Sequence, residues 1–78
     1  MREYRIYFVC PGMLLKVNFG RKGYSHSELA LAVIHIKGIL RTRPGQYVIQ
    51  RYESDLKARI VHVIEVTDDG TFINEKFL

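Results

Sequence analysis

Residues 25–40, SHSELALAVIHIKGIL, contain a helix-start signal followed by apolar residues at helical spacing. Ser25 and Glu28 have the spacing of a capping box, in which the serine hydroxyl and the glutamate carboxylate each accept a hydrogen bond from a backbone N–H. Pro44 disfavours helical geometry in the residue before it, so the helix is predicted to end near Arg43. The sequence therefore predicts one helix that runs from Ser25 to about Arg43.

Two apolar faces are predicted on this helix. At 100° per residue, the expected core stripe is Leu29, Ala32, Val33, Ile36, Ile39 and Leu40. The opposite side carries Leu31, Ile34, His35 and Gly38, which we name the outer helix face. A helix that is apolar nearly all round is usually buried on more than one side. Because a one-helix domain has little material to cover a second side, the outer helix face is predicted to contact a protein partner or a second copy.

The segments that flank the helix alternate in the manner of β-strands. Strands are predicted at residues 4–10 and 13–19, joined at Pro11 and Gly12, and at residues 46–52, 59–67 and 71–77. Within 59–67, Ile60 and His62 are placed on the same side of the strand. Asp69 and Gly70 predict a type I′ hairpin turn in which Val66 faces Ile73. The prediction is an α+β fold, with a mostly antiparallel sheet of chain order ββαβββ packed against a single α-helix in one domain, residues 1–78.

Composition narrows the classes of function. Twelve Lys and Arg against eight Asp and Glu give the 78-residue chain a formal charge of +4, and its pI is about 9.5. This charge favours polyanionic partners, although it also serves solubility. Cys10 is the sole cysteine, so no internal disulfide can form and a cytoplasmic location is expected. The longest apolar run, residues 29–34, is far below the ~20 residues of a membrane span, and no membrane partner is expected.

A basic loop is predicted just before the helix, where Gly20 and Gly23 bracket Arg21 and Lys22. Glycines allow close backbone approach and the two cations could contact successive phosphates, although a plain basic connection is the alternative. The four residues resemble the glycine-bracketed loop of the KH family of RNA-binding domains, with a predicted strand rather than a helix before it. The resemblance implies RNA binding. The predicted phosphate contacts are Arg21, Lys22, Arg41, Arg43 and Arg51.

Strand tyrosines provide a second feature of nucleic-acid binders. Tyr4, Tyr7, Tyr47 and Tyr52, with Arg5 and Arg51, could form a stacking platform for bases, or the tyrosines could be packing residues of a half-buried sheet. The two interpretations differ in the exposure of the tyrosine rings: a stacking platform requires exposed rings, and packing requires buried ones.

No catalytic, cofactor or metal-binding motif is present by spacing. An enzyme site built from His62, His26 and Glu65 is the weakest hypothesis, because it rests on residue types alone. The leading hypothesis is a non-catalytic module that binds nucleic acid without a cofactor. The alternative is a protein-interaction or self-association module, a homodimer through the outer helix face.

Overall fold

The computed structural model describes residues 3–17, 25, 26, 28–54 and 56–78. Within these residues the chain forms six strands, one α-helix and one 3₁₀ turn. In chain order they are β1 (Glu3–Cys10), β2 (Met13–Lys16), β3 (Ser25–His26), α1 (Leu29–Ile39), the 3₁₀ turn (Leu40–Thr42), β4 (Gly45–Ser54), β5 (Lys57–Val66) and β6 (Phe72–Phe77). Apart from the two-residue β3, the predicted α+β class and the order ββαβββ are confirmed.

The strands form one antiparallel sheet in the order β2-β1-β4-β5-β6, and β3 pairs with the first half of β1. The hairpin β1–β2 turns at Pro11 and Gly12, as predicted, and Gly12 has the positive φ of 78° that glycine accepts without strain. β1 therefore lies inside the sheet, between β2 and β4. The two long strands β4 and β5 form the centre of the fold.

Helix α1 covers one side of this sheet, which we name the covered side. The strand residues Ile6, Ile49 and Ile64 point toward the helix, where Ala32 and Ile36 meet them, and all five side chains are at most 2% exposed. Strand residues between them point to the other side, which no described element covers and which we name the open side. The period of two along each strand produces this division.

The start of the helix differs from its prediction. α1 begins at Leu29, and Glu28 is its N-cap residue in extended geometry with no capping hydrogen bond from its side chain. Ser25 and His26 instead pair with Arg5 and Tyr4 of β1. The predicted capping box is therefore wrong, because backbone pairing of Ser25 with β1 replaces the local cap.

The end of the helix agrees with its prediction. The α-helix stops at Ile39, a 3₁₀ turn continues to Thr42, and Arg43 is extended at φ −123°, as expected before Pro44. Leu40 is fully buried, whereas Ile39, predicted in the core stripe, is 51% exposed. Ile39 lies at the margin of that stripe, and Leu40 occupies the core at this end of the helix.

Bulges account for most of the remaining differences. Gln50 pairs with Ile60 and Ile49 with His62, so Val61 is an extra residue in β5. Ile60 and His62 therefore lie on opposite sides of the sheet rather than on the same side, as predicted. Pairing between β4 and β5 also continues as far as Ser54 and Lys57. The sequence predicts a polar loop over residues 53–57 instead. In the N-terminal hairpin, β2 ends at Lys16, and residues 18 and 19 of the predicted strand lie outside the described residues.

The hairpin between β5 and β6 is one residue out of the predicted register. Val66 pairs with Phe72, and Ile73 pairs with Glu65. Gly70 has a positive φ of 82° but Asp69 does not, whereas a type I′ turn requires positive φ at both central residues. The Gly70 N–H donates to the carbonyl of Thr67 at 3.0 Å. The wider turn moves the pairing by one residue.

Candidate functional site

The outer helix face is an exposed apolar surface. Leu31 is 47% exposed and Ile34 is 65% exposed, Gly38 is also exposed, and His35 is half-buried. On the inner side of the same helix Ala32 and Ile36 are fully buried. Exposure of Leu31, Ile34 and Gly38 agrees with the sequence-based expectation for this face.

Gly38 makes no close contact in the described chain. Apart from its chain neighbours and the backbone of the helix itself, no atom of the described residues lies within 4 Å of the position that a Cβ at residue 38 would take. Glycine in the interior of a helix is less stable than alanine by roughly 0.5–1 kcal/mol. Packing of the described residues does not require a glycine at this position.

Residues of opposite charge lie at the two ends of the outer helix face. Glu28 precedes α1 and Arg41 follows it, and both are exposed. Within the described residues neither one forms an ion pair. Lys37, the charged residue on the flank of the helix, donates to the Glu75 carboxylate at 2.8 Å. The face itself is free of charge, with one acidic and one basic end.

The five predicted phosphate contacts do not form a single patch in the described structure. Arg21 and Lys22 lie outside the described residues. Arg41 and Arg43 are exposed just after the helix, whereas Arg51 lies six residues along β4. At about 3.3 Å per strand residue, Arg51 is about 20 Å from the start of that strand. The fold therefore places these cations at two opposite ends of the domain.

Two cations that were not predicted stand beside Arg51. Arg59 pairs directly with Arg51 across the β4–β5 ladder, and Lys57 lies two residues before Arg59. Lys57 and Arg59 are exposed, and the Glu53 carboxylate lies 3.2 Å from Arg51. With Ala58, these residues line an open hollow of about 440 Å³. We name Arg51, Lys57 and Arg59 the basic hairpin end. The register that brings these cations together follows the bulge at Val61, for which the sequence pattern gave no signal.

The tyrosines are divided between the two sides of the sheet. Tyr47 is 2% exposed and packs with Tyr4 against the core of the covered side, and the Tyr47 hydroxyl donates to the Arg43 carbonyl at 2.8 Å. Tyr7 and Tyr52 lie half-buried on the open side. A stacking platform made of all four rings is therefore excluded.

The two open-side tyrosines form a directed hydrogen-bond chain. The Tyr52 hydroxyl donates to the Gln50 amide oxygen at 2.8 Å, so in the 2.6 Å contact between the two hydroxyls Tyr7 is the donor. The Arg5 guanidinium lies 4.0 Å from the centre of the Tyr52 ring. Burial, followed by the hydrogen bond with Tyr52, raises the pKa of Tyr7 to about 12.

His62 is the buried member of a polar cluster on the covered side, which also contains the half-buried Glu75 and Lys37. Its Nε2 lies 2.9 Å from the Glu75 carboxylate, which also accepts the hydrogen bond from Lys37. The Lys37 ammonium, and more weakly the His62 ring, lower the pKa of Glu75 against the opposing effect of burial. Glu75 reaches His62 because Asn74, at φ 54°, lies in the bulged part of β6. The sequence pattern gave no signal for this partner.

The enzyme hypothesis placed His62 with Glu65, but the sheet separates them. Glu65 lies on the open side, where its carboxylate accepts a hydrogen bond from the Asn74 amide at 3.4 Å. The side chain of His26 is outside the described part of the structure. Among the described residues no three His, Cys, Asp or Glu side chains are grouped closely enough to hold a metal ion.

Comparison of the chain with protein-family models, with curated protein sequences and with solved structures finds no match in any of the three. In the part of the chain that the structure describes, no helix has the length and apolar character needed to cross a membrane.

Proposed function

We propose that this chain is a non-catalytic association module whose contact surface is the outer helix face. The observation that carries the proposal is the exposure of Leu31 and Ile34, 47% and 65%, on the side of α1 that faces away from the core. Water contact with these side chains is unfavourable by about 25 cal/mol for each Å² of apolar surface. A second protein surface that covers them removes that cost.

The dimensions of the helix set the expected strength of association. The 11 residues of α1 span about 16 Å. A strip of this length buries less than the roughly 800 Å² per partner of a standard protein interface. We therefore expect a dissociation constant in the micromolar range, and a dimer that separates on dilution.

Sedimentation velocity over a range of protein concentrations tests the proposal. The parent chain is expected to shift from monomer to dimer as its concentration rises, and the Leu31→Glu, Ile34→Glu double variant is expected to stay monomeric. The matched control is Ala58→Glu, Ile60→Glu, which places two glutamates at exposed positions on the open side. A parent that stays monomeric at millimolar concentration, or a double variant that associates like the parent, contradicts the proposal.

Nucleic-acid binding is the second candidate, and the basic hairpin end favours it. Like charges directly opposite each other on two strands are destabilising. Arg51 faces Arg59 with Lys57 close by, and the Glu53 carboxylate at 3.2 Å from Arg51 offsets only part of this positive charge. A phosphate group in the adjacent hollow would offset this repulsion and release counterions. Arg41, Arg43 and the predicted loop cations Arg21 and Lys22 would extend the contact.

Fluorescence anisotropy with labelled single-stranded RNA and DNA, measured at several salt concentrations, tests the second candidate. The Lys57→Glu, Arg59→Glu variant is expected to weaken binding and to reduce its dependence on salt. The Lys16→Glu, Lys76→Glu variant has the same net charge but carries its substitutions elsewhere, and it is expected to bind more tightly than the hairpin variant. Equal losses in the two variants would mean that net charge alone drives binding. A parent that binds neither oligonucleotide at low salt eliminates this candidate.

A further inference from the structure

We infer that the outer helix faces of the two copies in this dimer pack antiparallel about a twofold axis between Ile34 and His35. In this arrangement Leu31 of each copy fills the gap above Gly38 of the other. The inference rests on the proposed association and adds the orientation of the two copies and the contact between Leu31 and Gly38.

The first argument is the match between a large side chain and a gap. A twofold interface is self-complementary, so every contact occurs twice. Leu31 and Gly38 are equally far from the midpoint between Ile34 and His35, and they are the first and last residues of the outer helix face. Antiparallel packing therefore places each Leu31 opposite the partner's Gly38. Parallel packing would place Leu31 against Leu31 and leave a void between the two glycines.

The second argument is the charge at the two ends. Glu28 and Arg41 are also equally far from that midpoint, and both are exposed. Antiparallel packing brings each Glu28 to the same height along the helix pair as the partner's Arg41. Parallel packing would bring like charges to the same height. The two helix dipoles also favour the antiparallel arrangement.

The antiparallel arrangement has a consequence for the cations. The N-terminal end of α1 follows β3, which pairs with β1 at Tyr4, and Tyr4 in turn pairs with Arg51. The basic hairpin end therefore lies at the end of the domain where α1 begins, whereas Arg41 and Arg43 lie where it ends. In the antiparallel dimer the two copies run in opposite directions. Arg41 of one copy therefore lies at the same end of the dimer as the basic hairpin end of the other copy. Arg41 and Arg43, separated from Arg51 in one chain, thus lie at the same end of the dimer as Arg51 of the other copy.

Disulfide cross-linking tests the orientation in full-length chains that carry Cys10→Ser. Leu31→Cys and Gly38→Cys are prepared as two separate variants. Residues seven apart along a helix differ by about 10 Å in height, which is too far for a disulfide. Neither variant alone is therefore expected to cross-link under mild oxidation, whereas an equal mixture is expected to give a disulfide-linked dimer on a non-reducing gel. Leu31→Cys mixed with Ala58→Cys is the matched control, because Ala58 is exposed on the open side.

A charge exchange provides a second measurement that leaves the apolar face intact. Glu28→Arg and Arg41→Glu are each expected to weaken the dimer about three- to tenfold, as two exposed pairs change from attraction to repulsion. The double variant is expected to return to the dissociation constant of the parent. If the dimer of the double variant is weakened by the sum of the two single effects, the antiparallel arrangement is overturned.

The outcomes separate this inference from the proposed function. Cross-linking of Leu31→Cys with itself would show parallel packing and overturn the inference while the association stands. Absence of a cross-link in the mixture, although the parent sediments as a dimer, would overturn the orientation alone. A parent that never dimerises removes the proposed function and the inference together.

Discussion

The two sides of the sheet hold polar groups in different ways. On the covered side, His62 is fully buried and bonds to Glu75, which Lys37 also contacts. On the open side, Tyr7 and Tyr52 are half-buried and bond to each other. A helix that excludes water makes an unpaired polar group costly, whereas the open side keeps water within reach. The same strands thus present a dry side, where pairing contributes to stability, and a partly wet side, where it contributes less.

The largest expected difference between the two sides concerns apolar packing. Ile36→Ala removes a fully buried side chain beneath the helix and is expected to lower the free energy of unfolding by about 2–5 kcal/mol. Ile60→Ala on the open side removes a side chain that is 38% exposed, and a loss below about 1.5 kcal/mol is expected. Urea denaturation of both variants measures the two losses. Equal losses would mean that the open side is as dry as the covered side.

Much of this division could be predicted from the sequence. Alternation predicted that Ile6 and Tyr7 lie on opposite faces of the strand at 4–10, and Ile49 and Val48 on opposite faces of the strand at 46–52, and both divisions agree with the structure. That Ile6 and Ile49 share one side of the sheet follows from their pairing, which the alternation does not give. The apolar outer face of the helix could also be predicted, because helical period and composition are local properties. The helix start was missed at Ser25, where pairing with a distant strand replaced a local cap.

The features that could not be predicted depend on bulges. The extra residue Val61 moves Ile60 to the open side, and it sets the register in which Arg59 faces Arg51. The bulged part of β6 directs Glu75 toward His62. A single extra residue reverses the side of every residue beyond it, and nothing in the alternation pattern marks where it occurs. The basic hairpin end and the His62 cluster therefore became visible only in three dimensions.

Removal of the half-buried Glu75 carboxylate is the next largest expected effect. Glu75→Ala deprives the fully buried His62 of its hydrogen bond at Nε2, and we expect the free energy of unfolding to fall by about 1–3 kcal/mol. Glu65→Ala is the matched control, because Glu65 lies on the open side with one weak hydrogen bond, and a change within about 0.5 kcal/mol is expected. If the two variants lose the same stability, the His62 contact does not depend on its burial.

The same carboxylate predicts how the covered side responds to acid. The pKa of Glu75 is lower in the folded chain than its ordinary value of 4.5, chiefly because Lys37 donates a hydrogen bond to it. This stabilisation is fully present above pH 4.5 and is lost as the pH falls through the lowered pKa. Urea midpoints measured from pH 6 to about pH 2.5 should therefore decline less in Glu75→Ala than in the parent. A parallel decline in both proteins would contradict this assignment.

The open side is expected to respond to alkali. The pKa of Tyr7 is raised from 10.0 to about 12, so the folded chain holds this proton more tightly than the unfolded chain does. The stabilisation is fully present below pH 10.0 and is lost as the pH rises toward about 12. Tyr7→Phe removes one net hydrogen bond, for which we expect a loss of about 0.5–1.5 kcal/mol at pH 7 and a weaker decline above pH 10. Tyrosinate absorbance, followed with stability, reports the titration. A tyrosine titration near pH 10 that is present in the parent and absent from the Tyr7→Phe variant would belong to Tyr7. Such a titration would contradict the raised pKa of Tyr7.

The smallest expected effect concerns the outer helix face. A substitution at Gly38 should stabilise the folded monomer and weaken the dimer. Gly38→Ala adds a methyl group where no described atom lies within 4 Å, so the monomer should gain about 0.5–1 kcal/mol from helix propensity. Ala32→Gly on the buried side should lose at least that amount, since it also leaves a cavity in the core. Because the added methyl group occupies the gap that we assign to the partner's Leu31, Gly38→Ala should also weaken the dimer. Denaturation at high dilution and sedimentation at high concentration measure the two effects separately. A variant that gains stability and still dimerises like the parent would show that the gap at Gly38 takes no part in the contact.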